Sequence, residues 1–192
     1  MRKDLLRYNL TKEEYHNPIS IIKDWYENRH LKGHLKAVKL WRDLAITSNV
    51  PETNVHDFSP GNLIYYYQCT VKFMEGAWLL RKSVIGEFDT AHLTPELLTV
   101  FIKSENKKIK CFPPILSDKE IIEPCRVFKD CFKKLSLKKH REILDTWLLD
   151  AFVTNVMQEN MDKDDMITVY ENLQRSIVAA WLIHDREIKN KA

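Results

Sequence analysis

Residues 17–49 and 123–155 of this 192-residue chain align without a gap at a constant offset of 106. Pro18, Lys23, Asp24, Leu31, Lys32, His34, Trp41, Ala45 and Asn49 meet Pro124, Lys129, Asp130, Leu137, Lys138, His140, Trp147, Ala151 and Asn155. Residues 62–80 align in the same way with residues 165–183 at an offset of 103, where Ile64, Tyr67, Ala77, Trp78 and Leu79 recur as Ile167, Tyr170, Ala180, Trp181 and Leu182. Nine identities in 33 positions exceed the roughly 6% expected from ordinary composition. The recurring proline and aromatics carry most of that weight, since shared helical bias inflates such scores. Duplication of this kind decides architecture before any other argument.

Only four glycines and seven prolines occur, and long stretches contain neither, which favours helices over a turn-rich β fold. The expected fold is all-α: two tandem three-helix repeats with approximate internal two-fold symmetry, packed as one helical domain over residues 1–192. Repeat 1 covers about 17–82, a connector 83–122, and repeat 2 about 123–186. The repeats are expected to share one core, because about 60 residues alone would be marginal.

Helix one of each repeat is expected to begin at Pro18 or Pro124, where a missing N–H costs nothing, and to end near His30 or Ser136. Ser136 reads as an N-cap. Helix two then runs from Leu31 to about Thr47 and from Leu137 to about Thr154. Its recurring residues fall at 31, 34, 38, 41 and 45, and at 137, 140, 144, 147 and 151, all on one face. In helix three the same rhythm is read at Ile64, Tyr67, Val71, Met74 and Trp78, and at Ile167, Tyr170, Gln174, Ile177 and Trp181. Asp164 or Asp165 is the expected cap of the second helix three. Residues 50–61 read as a loop. In the connector, Thr94-Pro95-Glu96 begins a helix to about Ser104, a short strand is expected near Ile109 to Cys111, and the Pro113-Pro114 pair enforces extended backbone. The five tryptophans read as core anchors whose indole N–H groups find acceptors.

Thirty basic against 27 acidic residues leave a net charge of +3, too mild to imply nucleic acid by itself. Cys69, Cys111, Cys125 and Cys131 show no CxxC or metal-type spacing, so thiols in a reducing cytoplasm are expected. The N-terminus is charged and lacks an apolar run, and no stretch approaches the ~20 apolar residues of a membrane span. A soluble, cytoplasmic protein is expected, without membrane contact.

Several groups are candidates for chemistry. His34 and His140 lie in phase with the buried stripe, and Asp24 and Asp130 recur on the neighbouring helix, so an Asp–His contact is expected in each repeat. Such a pair can act as a general base or pH sensor, but no nucleophile or oxyanion site accompanies it. Arg29-His30-Leu31-Lys32-Gly33-His34 fits R-x4-H and resembles the ribonuclease motif of HEPN-domain proteins, which are also small and all-helical. The resemblance implies RNA cleavage by Arg29 and His34. It departs from that family in placing a helix boundary inside the motif, and the second repeat has Leu135 where the first has Arg29. Metal binding by Glu27, His30 and His34 fails because Lys133 and Ser136 occupy the matching positions of the second repeat. No phosphate-cradling glycine loop occurs. Neither a metal nor a cofactor is expected. Lys32, Lys36, Lys138, Lys139 and Arg141 form a duplicated basic face that can follow a phosphate backbone, although Glu142, Asp145 and Asp150 interrupt it.

What the repeats share is mainly the buried stripe of each helix, the mark of a kept fold. The expected function is therefore a non-enzymatic helical binding or regulatory protein, acting through a protein partner or self-association. The alternatives are a HEPN-like ribonuclease using Arg29 and His34 and a nucleic-acid-binding protein using the basic face.

Overall fold

A computed structural model describes residues 9–46, 59–111, 113–152 and 162–188. Nine helices follow in order among them: α1 (Lys12–His16), α2 (Ile19–Asn28), α3 (Leu31–Ile46), α4 (Pro60–Leu80), α5 (Pro95–Ile109), α6 (Asp118–Ile122), α7 (Pro124–Lys134), α8 (Leu137–Phe152) and α9 (Lys163–Ile183), with a π-helical turn at His184–Ile188. No strand occurs among the described residues, so the fold is all-α. No described helix is long and apolar enough to cross a membrane. The expectations for Thr47, Thr154, Asn49, Asn155 and most of the 50–61 loop lie outside the described residues.

Local chemistry accounts for the helix ends. Ser136 accepts from the Lys139 amide at 3.2 Å, and Thr94 caps α5 through the Leu97 amide, both as the sequence implies. The cap of α9 is Asp162, which accepts from the Asp164 amide at 2.9 Å, rather than Asp164 or Asp165. The expected strand at Ile109–Cys111 is absent. Instead α5 runs on to Ile109, and Lys110 turns left-handed at φ 55° while its N–H bonds Asn106. Two short helices, α1 and α6, are launched by capping boxes at Thr11/Glu14 and Ser117/Glu120. At Thr11 the hydroxyl and the Glu14 carboxylate satisfy one another's backbone N–H groups, while at Ser117 the Glu120 carboxylate accepts from both the backbone N–H and the hydroxyl.

The core centres on the packing of α3 against α8. There Trp41 and Trp147, both 0% exposed, meet edge to face with ring centroids 5.6 Å apart and planes at 86°, a favoured aromatic geometry. Around this pair α4 packs on α2 and α8, while α9 packs on α3 and α7. The bounds of α8 are those of α3 shifted by 106, and the bounds of α9 are those of α4 shifted by 103. The helix-two stripe is buried at Leu31, His34, Val38, Trp41 and Ala45, and at Leu137, His140, Leu144 and Trp147.

The helix-three stripe is wider than the expected one: Val71, Met74 and Ile177 are buried as expected, and Tyr67, Trp78, Tyr170, Gln174 and Trp181 are half-buried. Leu63, Tyr66, Phe73 and Ala77 face the core of α4, and Met166, Val169, Leu173 and Ala180 that of α9, while Ile64 and Ile167 are exposed. These helices are enclosed on several sides, which widens the apolar arc and blurs its periodicity. Nor do the indole N–H groups of Trp25, Trp41 and Trp147 find acceptors; all three are buried without a hydrogen bond. Helix carbonyls near them are committed to their own ladders, and the apolar area of the rings outweighs one unpaired donor.

The connector is tied to the bundle at fixed points. Gly86 has φ +75°, and a Cβ there would meet Ile183 Cγ1 at 2.8 Å, so both conformation and space require glycine. Arg186 reaches from the π turn to the Gly86 carbonyl at 2.7 Å and to buried Glu105 at 2.8 Å.

Candidate functional site

The break between α2 and α3 opens a cleft. Arg29 is extended at φ −162°, ψ 139°, and ends one helix just before the next begins. Around it α1, α2, the first turn of α3 and α4 enclose about 660 Å³, within the range of ordinary binding pockets.

Aromatic rings form the floor. Trp25 is stacked between His34, at 4.1 Å and 12°, and Phe73, at 4.7 Å and 20°. Tyr66 donates its hydroxyl to the His34 carbonyl at 3.3 Å. The Arg29 guanidinium lies 5.7 Å from the centre of the Tyr66 ring. Tyr65 stands on the wall at 55% exposure beside Cys69, whose contact pushes the Tyr65 phenol above its ordinary value. Lys72 closes the far side through an ion pair with Glu14 at 2.9 Å.

His34 Nε2 lies 2.9 Å from the Trp25 carbonyl. A carbonyl only accepts, so this nitrogen carries the proton and Nδ1 is an acceptor. Nδ1 is buried without a hydrogen bond; the Arg29 carbonyl near the ring is itself an acceptor and cannot satisfy it. Burial, the main cause, pushes the imidazole down to about 4.

The aligned histidine is held differently. His140 Nδ1 lies 2.9 Å from the Ser136 carbonyl, and Nε2 lies 3.1 Å from the Asn172 amide nitrogen. With that amide as donor, His140 is protonated on Nδ1, the opposite tautomer, and both nitrogens are satisfied. It is 0% exposed, and burial again lowers its basicity. The difference follows from two exchanges: Trp25 and Cys69 stand where the aligned segments have Cys131 and Asn172.

The expected Asp–His contacts do not form. His34 bonds the Trp25 carbonyl while Asp24 is exposed on α2, and Asp130 lies 3.8 Å from Arg126 instead of against His140. In both pairs the aspartate sits one helical step off the face that meets α3 or α8, so its carboxylate turns to solvent. Arg29 and His34 do line one cleft, but from opposite sides of the helix break. The basic face is largely neutralised in its second half. Lys138 pairs with Glu142 at 3.5 Å, Lys139 with Asp165 at 3.3 Å, and Arg141 with buried Glu75. Lys32 and Lys36 are exposed on α3.

Burial pushes the Cys125 thiol up to about 12 and the Cys131 thiol to about 11, so neither is poised as a thiolate nucleophile at neutral pH. Among the described residues no cluster of three or more His, Cys, Asp or Glu could hold a metal. Tyr65, Tyr66, Cys69 and Lys72 were not legible as site residues; the only signal was the run Tyr65-Tyr66-Tyr67. Comparison with protein-family models, curated proteins and solved structures finds no match.

The buried imidazoles predict a pH dependence. The unfolded chain protonates His34 below about pH 6.5, the folded chain only below about 4. The unfolded state therefore binds more protons in that window, and stability falls as pH drops from about 6.5 to about 4. The contribution of His34 is at most roughly 3 kcal/mol. Chemical denaturation across this window should show a flatter profile for His34→Phe than for the wild type. Parallel profiles would place the imidazole in water.

Proposed function

We propose that this chain is a non-enzymatic helical binding protein built from two three-helix repeats related by approximate two-fold symmetry, and that it engages a protein partner through the cleft of the first repeat. The carrying observation is the contrast between the aligned histidines. His140 is sealed and fully hydrogen-bonded, whereas His34 forms part of an aromatic floor beneath an open cleft and keeps an unsatisfied buried nitrogen. An unsatisfied buried polar atom is costly and is tolerated where a fold has been adapted to a task. Tyr65, Tyr66, Arg29 and Trp25 belong to the residue types that dominate binding energy at protein interfaces. A neutral imidazole with a proton affinity this low is a poor general base at neutral pH.

The matching helix bounds and the Trp41–Trp147 contact support the repeat reading. Affinity capture from the native cell tests the function. A partner retained by the wild type should be lost at least roughly tenfold with Arg29→Ala/Tyr65→Ala and kept with Lys138→Glu. Bound partner should also protect Cys69 from alkylation. Sedimentation velocity identifies a second copy of the chain as the partner if the wild type associates and the cleft variant does not. Capture and association that ignore the cleft substitutions would refute the proposal. One observation favours the nuclease reading, namely that Arg29 and His34 share a cleft. RNA cleavage abolished by Arg29→Ala and by His34→Ala would install that reading instead.

A further inference from the structure

A second cleft, of about 720 Å³, lies at the other end of α4, between the turn that follows it and the face of α7 that runs from Pro124 to Lys133. Its charge is not balanced. Arg126, Lys129 and Lys133 line one wall from α7, and Arg81 and Lys82 line the other. Of the three carboxylates in the lining, Glu123 and Asp130 lie 3.6 and 3.8 Å from Arg126. Lys82, Lys129 and Lys133 make no ion pair among the described residues, unlike Lys138, Lys139 and Arg141 of the basic face.

Of this stripe the aligned segment shares only the lysine at Lys129. At the offset of 106, Arg126, Lys129 and Lys133 align with Ser20, Lys23 and Glu27, and Lys23 pairs with Glu27 at 3.7 Å. At the offset of 103, Arg81 and Lys82 align with His184 and Asp185. The aligned positions of the other segment therefore carry no comparable cationic stripe.

The cleft also contains a planar platform. The Arg81 guanidinium sits 3.5 Å from the centre of the Trp78 ring and is pinned by a hydrogen bond to the Trp78 carbonyl. Trp78 is itself braced edge to face by Phe132, with centroids 5.1 Å apart. A guanidinium stacked on an indole has one flat face covered, and its other face accepts a further π system. We propose that this cleft binds a nucleoside phosphate, with the phosphate among Lys82, Lys129 and Lys133 and the base stacked on Arg81. The proposal rests on residues separate from the Arg29–His34 cleft and stands or falls independently of it.

Calorimetric titration of the full chain with adenosine monophosphate, inorganic phosphate and a 5′-phosphorylated ribotetranucleotide tests this. The mononucleotide should bind saturably, tighter than inorganic phosphate, and more weakly as salt rises. Lys129→Glu/Lys133→Glu should weaken it at least roughly tenfold, while Lys138→Glu leaves it unchanged. Arg81→Ala should remove the advantage of the nucleotide over phosphate. These sites are on the surface, and unchanged circular dichroism and melting confirm that the variants fold. Equal affinity for the tetranucleotide identifies an RNA 5′ end as a competent source, and weaker binding identifies the free nucleotide. No saturable binding of either nucleotide probe, no preference over inorganic phosphate, or affinity indifferent to the charge reversals would each overturn the proposal.

Discussion

Trp147→Ala should lower the unfolding free energy by about 3–5 kcal/mol. The indole is 0% exposed, lies where α8 packs against α3, and presents its ring to Trp41 at 86°. Truncation removes apolar area and leaves a cavity that two packed helices cannot easily close. Trp147→Phe should recover much of the loss, because the indole N–H makes no hydrogen bond and nothing polar is forfeited. Urea denaturation checks both variants; a loss under about 1 kcal/mol for the alanine variant would mean that this packing is not central to the fold.

Arg141→Met should cost about 3–5 kcal/mol at neutral pH, because it strands a buried carboxylate. Glu75 is 0% exposed and is held by Arg141 across α4 and α8, with the Asn9 amide donating at 2.7 Å. Burial already pushes the Glu75 carboxyl above its ordinary value despite the guanidinium. Removing Arg141 should raise it further, so the stranded group takes up a proton and the penalty shrinks as pH falls. Glu75→Leu/Arg141→Met together should cost less than Arg141→Met alone. A double-mutant cycle in denaturant reads this directly, and additive losses would mean that the two side chains act independently.

How much of this was legible in the sequence varies with the physics involved. The Leu31-His34-Val38-Trp41-Ala45 stripe and its partner were readable because α3 and α8 bury one face and leave the other wet. Helix three was legible only in part: Val71, Met74 and Ile177 lie inward as expected, but α4 and α9 are enclosed more widely, so Tyr66 and Phe73 also face inward while Ile64 does not. The capping boxes at Thr11/Glu14 and Ser117/Glu120 could have been found, since their spacing is itself the signal. The Asp24–His34 contact could not be decided from spacing, because a backbone carbonyl competes for the imidazole and carries no side-chain signature. Alignment placed Trp25 opposite Cys131 and Cys69 opposite Asn172. Only the folded chain connects those two exchanges to a single difference, an open cleft at His34 and a closed core at His140. The cationic cleft was hidden for a similar reason, since Arg81 and Lys129 come together only when the end of α4 packs beside α7.

Hydrogen exchange of the full chain, alone and with the protein captured through it, tests most directly the proposal that the cleft at Arg29 and His34 carries the binding site. Slowed exchange should be confined to the segments around Trp25 to His34 and Asn62 to Lys72, which line the cleft. The aligned segments around Cys131 to His140 and Asp165 to Arg175 should not change. Protection of those aligned segments, or of neither pair, would contradict the assignment of binding to the cleft at Arg29 and His34.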